Sequence, residues 1–242
     1  MRSTLPHHFG QTLSYLIELT LTAMQFLMLV FDFFVHLDKH LFWVIQNYGQ
    51  LTYIILFCII FCETGLVVTP ILPGDSLIFA AGAFAASGSL KLSWLFVWLL
   101  LAAIGGNMIN YRIGALFGAA ILKKPNRWIK KQHLDETHRF YEKHGDKTII
   151  ITRFFPIIRT FAPFAAGIAR MSYWRFSLYN VVGGTLWVSI FLLGGYFFGN
   201  LDIVRHNFTL VIFAIIGLSL LPALYKFVKV WLRRSRHMLK SA

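Results

Sequence analysis

Apolar residues fill most of the chain in long runs broken by short polar ones, and four runs reach the roughly 20 residues that a helix needs to cross a bilayer core. They cover 13–37, 92–117, 176–198 and 208–230. Glu18 and Asp32 interrupt the first, so an interfacial helix is the alternative there. Two further apolar stretches, 51–86 and 148–169, carry residues that a membrane helix rejects. The first holds Glu63, Gly65, Pro70, Pro73, Gly74, Asp75 and Gly82; the second holds Arg153, Pro156, Arg159 and Pro163. Proline removes a backbone donor and kinks a helix. An arginine at mid-membrane costs about 2.5–3.5 kcal/mol even on the lenient insertion scale. Neither stretch reads as a plain span.

Composition fits a membrane protein. Of 242 residues, 57% are hydrophobic and 14% charged, with mean hydropathy +0.64, against about 25% charged in soluble domains. The formal charge of +13 sits mainly in two clusters, from Lys123 to Lys147 and from Lys226 to Lys240. Basic span ends are what cytoplasmic retention requires. Anionic lipid headgroups therefore suit these clusters better than nucleic acid does. The N-terminal 19 residues lack a compact apolar core with a cleavage site, so retention of the N-terminus is expected.

Both basic clusters belong on the cytoplasmic side, so an even number of crossings must separate them. The runs 176–198 and 208–230 already supply two. A third crossing by 148–169 would strand one cluster outside, so a re-entrant hairpin is expected, entering from the cytoplasm and shielded from lipid. By the same logic 51–86 becomes a hairpin entering from outside. Both termini then lie in the cytoplasm.

The two halves also resemble each other. Phe79-Ala80-Ala81-Gly82 recurs as Phe164-Ala165-Ala166-Gly167, and Trp94 precedes Gly105-Gly106 as Trp174 precedes Gly183-Gly184. Gly114–Gly118 is echoed by Gly195–Gly199. Discontinuous segments in matching places of inverted halves point to a transport site near the midplane. The predicted fold is an all-α polytopic membrane protein, an inverted repeat of two re-entrant hairpins each followed by a transmembrane helix, with N- and C-terminal spanning helices. It forms a single membrane domain, 1–242: the N-terminal span or interfacial helix 13–37, repeat one at 51–118, a basic loop at 119–147, repeat two at 148–199, a last span at 208–230 and a basic tail at 231–242.

The stretches ETGLVVTPILPGD, FAAGAFA, NYRIGALFG, LDETHRFYEKHG, RFFPIIRTFAPFAAG and YNVVGGTLW together resemble the DedA family, related to the SNARE-associated (VTT) domain, over about residues 31–222. The resemblance implies a bacterial inner-membrane protein, not an enzyme, supporting envelope homeostasis and lipid movement. Some members resemble translocases of undecaprenyl phosphate. The family's functional acids fall on Glu63 and Asp75, and its arginines on Arg153 and Arg159. Asn107 stands where the family often has Asp.

Arginine suits phosphate, because its planar fork binds two oxygens at once and stays charged when desolvated. Arg153 and Arg159, with Asn180 beside them, are the expected substrate-binding residues. Glu63 and Asp75 face them as proton-coupling residues, expected to compete for the arginines and to be neutralised by protonation. Gly65, Pro70, Pro73, Gly74, Pro156 and Gly167 are expected to shape the hairpins. Asn180 reads as a donor to a hairpin carbonyl, and Trp43, Trp94, Trp174 and Trp187 as interfacial anchors or packing. The expected partners are membrane lipids, anionic or polyprenyl-phosphate, and protons, with a homo-oligomer left open. A proton-coupled exporter of cationic drugs and a non-transporting scaffold are the alternatives. No cofactor or metal is expected. Cys58 and Cys62 share a helix face without histidine partners and read as packing residues, and the loop histidines His133, His138 and His144 as surface. Gly74-Asp75-Ser76-Leu77 spells a hydrolase motif, but the base and acid spacing of that family is missing.

Overall fold

The computed structural model describes residues 36–66, 74–123 and 147–202 continuously, with short pieces between 18 and 32 and between 204 and 217. Most of 13–37 and 208–230, the loop 124–146, the tail 231–242 and the segment with Pro70 and Pro73 lie outside the described residues. All regular structure among the described residues is helical.

Helix α1, Leu37–Tyr48, buries Leu37, Leu41 and Ile45 and exposes Phe42 and Trp43. A four-residue spacing puts the three buried side chains on one face. Asp38, Lys39 and His40 interleave with them, which is why the segment does not stand out as an apolar run. Gly49 breaks the helix at φ +50, a three-residue 3-10 turn follows, and α2 runs Thr52–Gly65. Taken together, Lys39–Gly65 is long and apolar enough to cross a membrane by length and composition. The sequence reading gave 38–50 no element and placed the rest in a hairpin arm.

Next come α3, Gly74–Ala86, and the 32-residue α4, Leu92–Lys123. The second half begins with α5, only Thr148–Thr152, and α6, Pro156–Ile168. Phe155 is extended (φ −118, ψ 104), because the residue before a proline is pushed out of the helical region. Proline then opens α6, in the first turn, where its missing N–H would have had no helical acceptor. Helix α7 covers Tyr173–Phe198. Leu92–Phe117 and Tyr173–Phe198 are the other two candidate membrane spans, close to the runs expected at 92–117 and 176–198.

The short helices seat on the long ones in an exchanged pattern. Helix α2 packs on α4 and α5 on α7, each within its own half, whereas α3 packs on α7 and α6 on α4. Glycines set the exchanged crossings. A Cβ at Gly82 would lie 2.9 Å from Tyr196 N, and one at Gly195 3.0 Å from Phe79 Cα. In the other crossing, a Cβ at Gly167 would lie 2.7 Å from Ala115 N, and one at Gly114 2.9 Å from Phe164 Cα. Both Phe-Ala-Ala-Gly repeats therefore meet backbone directly. The larger core gathers Leu56, Ile60, Ile78, Leu99, Trp187 and Leu192 between these helices.

Candidate functional site

Four element ends converge on one buried cluster. The last turn of α2 turns Glu63, Thr64 and Gly65 inward, and Asp75 lies in the first turn of α3. Arg153 follows α5 immediately, and Arg159 sits in the opening turn of α6. Glu63 is 1% exposed, Arg153 4% and Arg159 8%. Breaks in these helices are what bring charged residues from distant parts of the chain to one depth.

Arg159 is clamped. Its Nη1 donates to Asp75 Oδ1 at 2.5 Å and its Nη2 donates to Glu63 Oε1. The Trp187 indole donates to the same Asp75 oxygen at 2.9 Å, and its ring lies 4.9 Å from the Arg159 guanidinium carbon. That is cation–π range. Asp75 also stands where the positive end of the α3 dipole favours an anion. Gly74 makes room for the pairing, since a Cβ there would come within 2.6 Å of the Glu63 carboxyl carbon.

Arg153 is held differently. Its Nη2 donates to Asn180 Oδ1 at 2.5 Å and to Ala103 O at 3.2 Å. Asn107 donates to the same Asn180 oxygen at 3.1 Å, and Asn180 in turn donates to Ile104 O at 3.1 Å. The guanidinium lies along the bare surface of Gly183 and Gly184, where a Cβ would come 3.2 Å from its Cδ and 3.4 Å from its Nη2. No carboxylate pairs with Arg153 among the described residues. Its Nε is buried without a hydrogen-bond partner there.

The expectation that two acids would face two arginines is thus corrected. Both acids go to Arg159, because the ends of α2 and α3 meet the first turn of α6, while α5 delivers Arg153 onto α7. Between the two arginines lies a cavity of about 10 Å³ lined by Thr64, Asn107, Arg153, Arg159 and Trp187, room for about one water.

The other expected site residues are placed as follows. Asn180 donates to α4 rather than to a hairpin carbonyl, and orients Arg153. Gly65 lies at the α2–α4 crossing, where a Cβ would come 3.3 Å from Gly106 Cα, and Gly167 lies at the α6–α4 crossing. Pro156 opens α6. Cys58 and Cys62 are exposed rather than packed inside, because they share the outward face of α2. Ser76 is fully buried, with no hydrogen-bond partner for its hydroxyl among the described residues.

Trp187 was missed as a site residue. Trp43, Trp94 and Trp174 are exposed, but Trp187 is 1% exposed. Its place 14 residues into the 26-residue α7, far from either interface, was the available signal. Asn110 was missed too. It donates to Thr64 O at 3.2 Å and Thr160 O at 2.8 Å, tying α2 and α6 to α4. Its signal was a second amide three residues after Asn107 inside an apolar span, a costly placement unless hydrogen-bonded.

The VTT domain family matches residues 72–197. Over 209 residues the chain is 50% identical to Protein DedA of Escherichia coli, covering 85% of this chain and 95% of that one. The chain belongs to the DedA family of membrane proteins. The chain is also similar to an uncharacterized membrane protein of Mycobacterium leprae and to the inner membrane protein YqjA of Escherichia coli. The first is 44% identical over 69% of this chain and 75% of its own, the second 32% identical over 61% and 68%. No solved structure gives a significant match. The matched VTT region holds Asp75, Arg153, Arg159, Asn180 and Trp187, and begins after Glu63.

Proposed function

We propose that this DedA-family protein is a bacterial inner-membrane transporter or flippase for a lipid phosphate, such as undecaprenyl phosphate, coupled to protons and serving envelope homeostasis. The carrying observation is the pair of buried arginines, one clamped by two carboxylates and the other by none. With both acids ionised the four groups sum to zero, from two positive and two negative charges. Protonation of Glu63 or Asp75 leaves one net positive charge, which matches a phosphate monoanion. Proton and phosphate would then enter and leave the site together. Arg153, lying on glycine and held by amide and carbonyl oxygens, is the group free to accept phosphate oxygens, while Arg159 exchanges carboxylate for phosphate. Because the cavity holds about one water, phosphate entry requires one of the short helices to move.

The inverted repeat and its two re-entrant hairpins are part of the proposal. The exchanged packing supports them: it is unchanged in pattern when the halves are swapped. Helices α3 and α6, of 13 residues each, are about 20 Å long and too short to span alone. Arg112, Arg170 and Arg175 lie at the α6–α7 end of the bundle, against Lys91 and, beside Phe84, Lys39 at the α3–α4 end. By the positive-inside rule this supports a cytoplasmic α6–α7 turn, and with it both termini in the cytoplasm.

The test is flux of a radiolabelled polyprenyl phosphate across proteoliposomes carrying the purified chain, with and without a pH gradient. Wild type should translocate the label, faster with the gradient. Arg153→Ala, Arg159→Ala and Glu63→Ala should each lose flux per folded molecule, the folded fraction being counted by size-exclusion chromatography before reconstitution. Unchanged flux in Arg153→Ala, Arg159→Ala or Glu63→Ala sinks the reading. A dependence on the acids alone would point to export of cations, and complementation by charge-neutralised variants to a scaffold.

A further inference from the structure

Two turns hold equivalent places in the two halves. Residues 87–91 join α3 to α4 and residues 169–172 join α6 to α7. Both close with the same backbone hydrogen bonds. Gly88 N donates to Ala85 O and Ser89 N to Phe84 O, each at 3.1 Å; Arg170 N donates to Gly167 O and Met171 N to Ala166 O, each at 3.0 Å. This is the Schellman helix ending, whose left-handed residue is usually glycine. Gly88 obeys the rule at φ +82. Arg170 does not: at φ +55 it is the only non-glycine residue with positive φ among the described residues.

A side chain at a left-handed position is a local strain, and such strain collects where function demands it. The surroundings of Arg170 give the demand. The Tyr111 hydroxyl donates to Met171 O and holds the turn against α4. The next residue, Arg112, places its guanidinium carbon 5.7 Å from the Tyr173 ring. Arg170 is exposed, as are Tyr173 at 43% and Trp174 at 77%. No carboxylate forms an ion pair with Arg112 or Arg170 among the described residues. Cationic and aromatic side chains together at the end of a membrane bundle are complementary to the headgroup layer, where phosphates meet the acyl boundary.

We propose that the α6–α7 turn is a binding site for an anionic phospholipid at the membrane surface, with Arg170 and Arg112 taking the headgroup phosphate and Tyr173 and Trp174 bedding against the lipid. The site lies at one end of the bundle, apart from the Arg153–Arg159 cluster, and does not depend on what that cluster carries. Arg170 is the sensitive probe, since Arg170→Gly restores the residue the turn prefers and so removes the charge without endangering the fold.

The full chain in neutral detergent would be titrated with phosphatidylglycerol, phosphatidylcholine and glycerol phosphate, and the bound species counted by native mass spectrometry. Wild type should favour phosphatidylglycerol. Arg170→Gly and Arg112→Gln should each weaken that lipid about fivefold, the contribution of one surface arginine, and leave phosphatidylcholine unchanged. Unchanged phosphatidylglycerol affinity in Arg170→Gly overturns the proposal. An equal loss for both lipids overturns it as well, because charge is then not what binds. Displacement of the lipid by glycerol phosphate at similar concentration would reassign the site to a soluble phosphate and overturn it as a lipid site.

Discussion

Arg153 and Arg159 belong to one short motif and are buried to nearly the same degree, yet they occupy opposite surroundings. Arg159 has two carboxylates, an indole ring and a helix N-terminus around it. Arg153 has a carboxamide, a carbonyl and a strip of glycine. Two physical ways of keeping a cation inside an apolar protein stand side by side. An ion pair supplies full charge but freezes its members together. Dipoles supply less and leave the cation able to accept an anion. The difference assigns the structural task mainly to Arg159 and the receptive one to Arg153.

The sharpest way to break that comparison is to remove each arginine in turn. Arg159→Met leaves two carboxylates buried without their partner and should cost about 3–5 kcal/mol in unfolding measured in detergent. Arg153→Met strands no charge and leaves the Asn180 oxygen still accepting from Asn107, so it should cost about 1.5 kcal/mol, the lower end for a hydrogen bond to a charged group. Equal losses would collapse the distinction. The glycine crossings come next. Gly195→Val should cost about 1–3 kcal/mol by forcing α3 off α7. Gly194→Ala, where the nearest neighbour of an added Cβ is the Phe79 ring at 3.8 Å, should be tolerated in the same melts. Trp187→Phe keeps the ring over Arg159 but deletes the indole donor to Asp75. It should cost about 1.5 kcal/mol, the lower end for a hydrogen bond to a charged group. No such loss should follow Trp174→Phe, out on the surface. Smallest is Arg170→Gly, which should raise stability in uncharged detergent by about 1 kcal/mol through relief of the left-handed backbone.

Much of this arrangement is legible in the chain. Helices α4 and α7 follow from uninterrupted apolar runs, and the buried charges announce themselves because a bilayer penalises them. The repeat marks Gly82, Gly167, Gly114 and Gly195. Pairing was not legible. Which acid meets Arg159 depends on contacts spanning 84 and 96 positions, and no local pattern reports them. Trp187 was hidden because tryptophan in a membrane protein is ordinarily an interface residue. Helix α1 was hidden because three buried positions among charged neighbours make a weak signal. The exchange of partners between halves was also invisible, since matching motifs say what corresponds but not what touches.

That exchange has a consequence for how the protein is made. Helix α3 leaves the ribosome early, but the surface it rests on, around Gly195, is synthesised more than 100 residues later. Until then Glu63 and Asp75 have no Arg159, and α3 lacks the long helix it packs on. The first half must therefore wait in or beside the insertion machinery as an incomplete object, and only completion of α7 can release it. Each half is the other's folding template, so a chain cut in the loop between them should insert stably only when both pieces are made in the same cell.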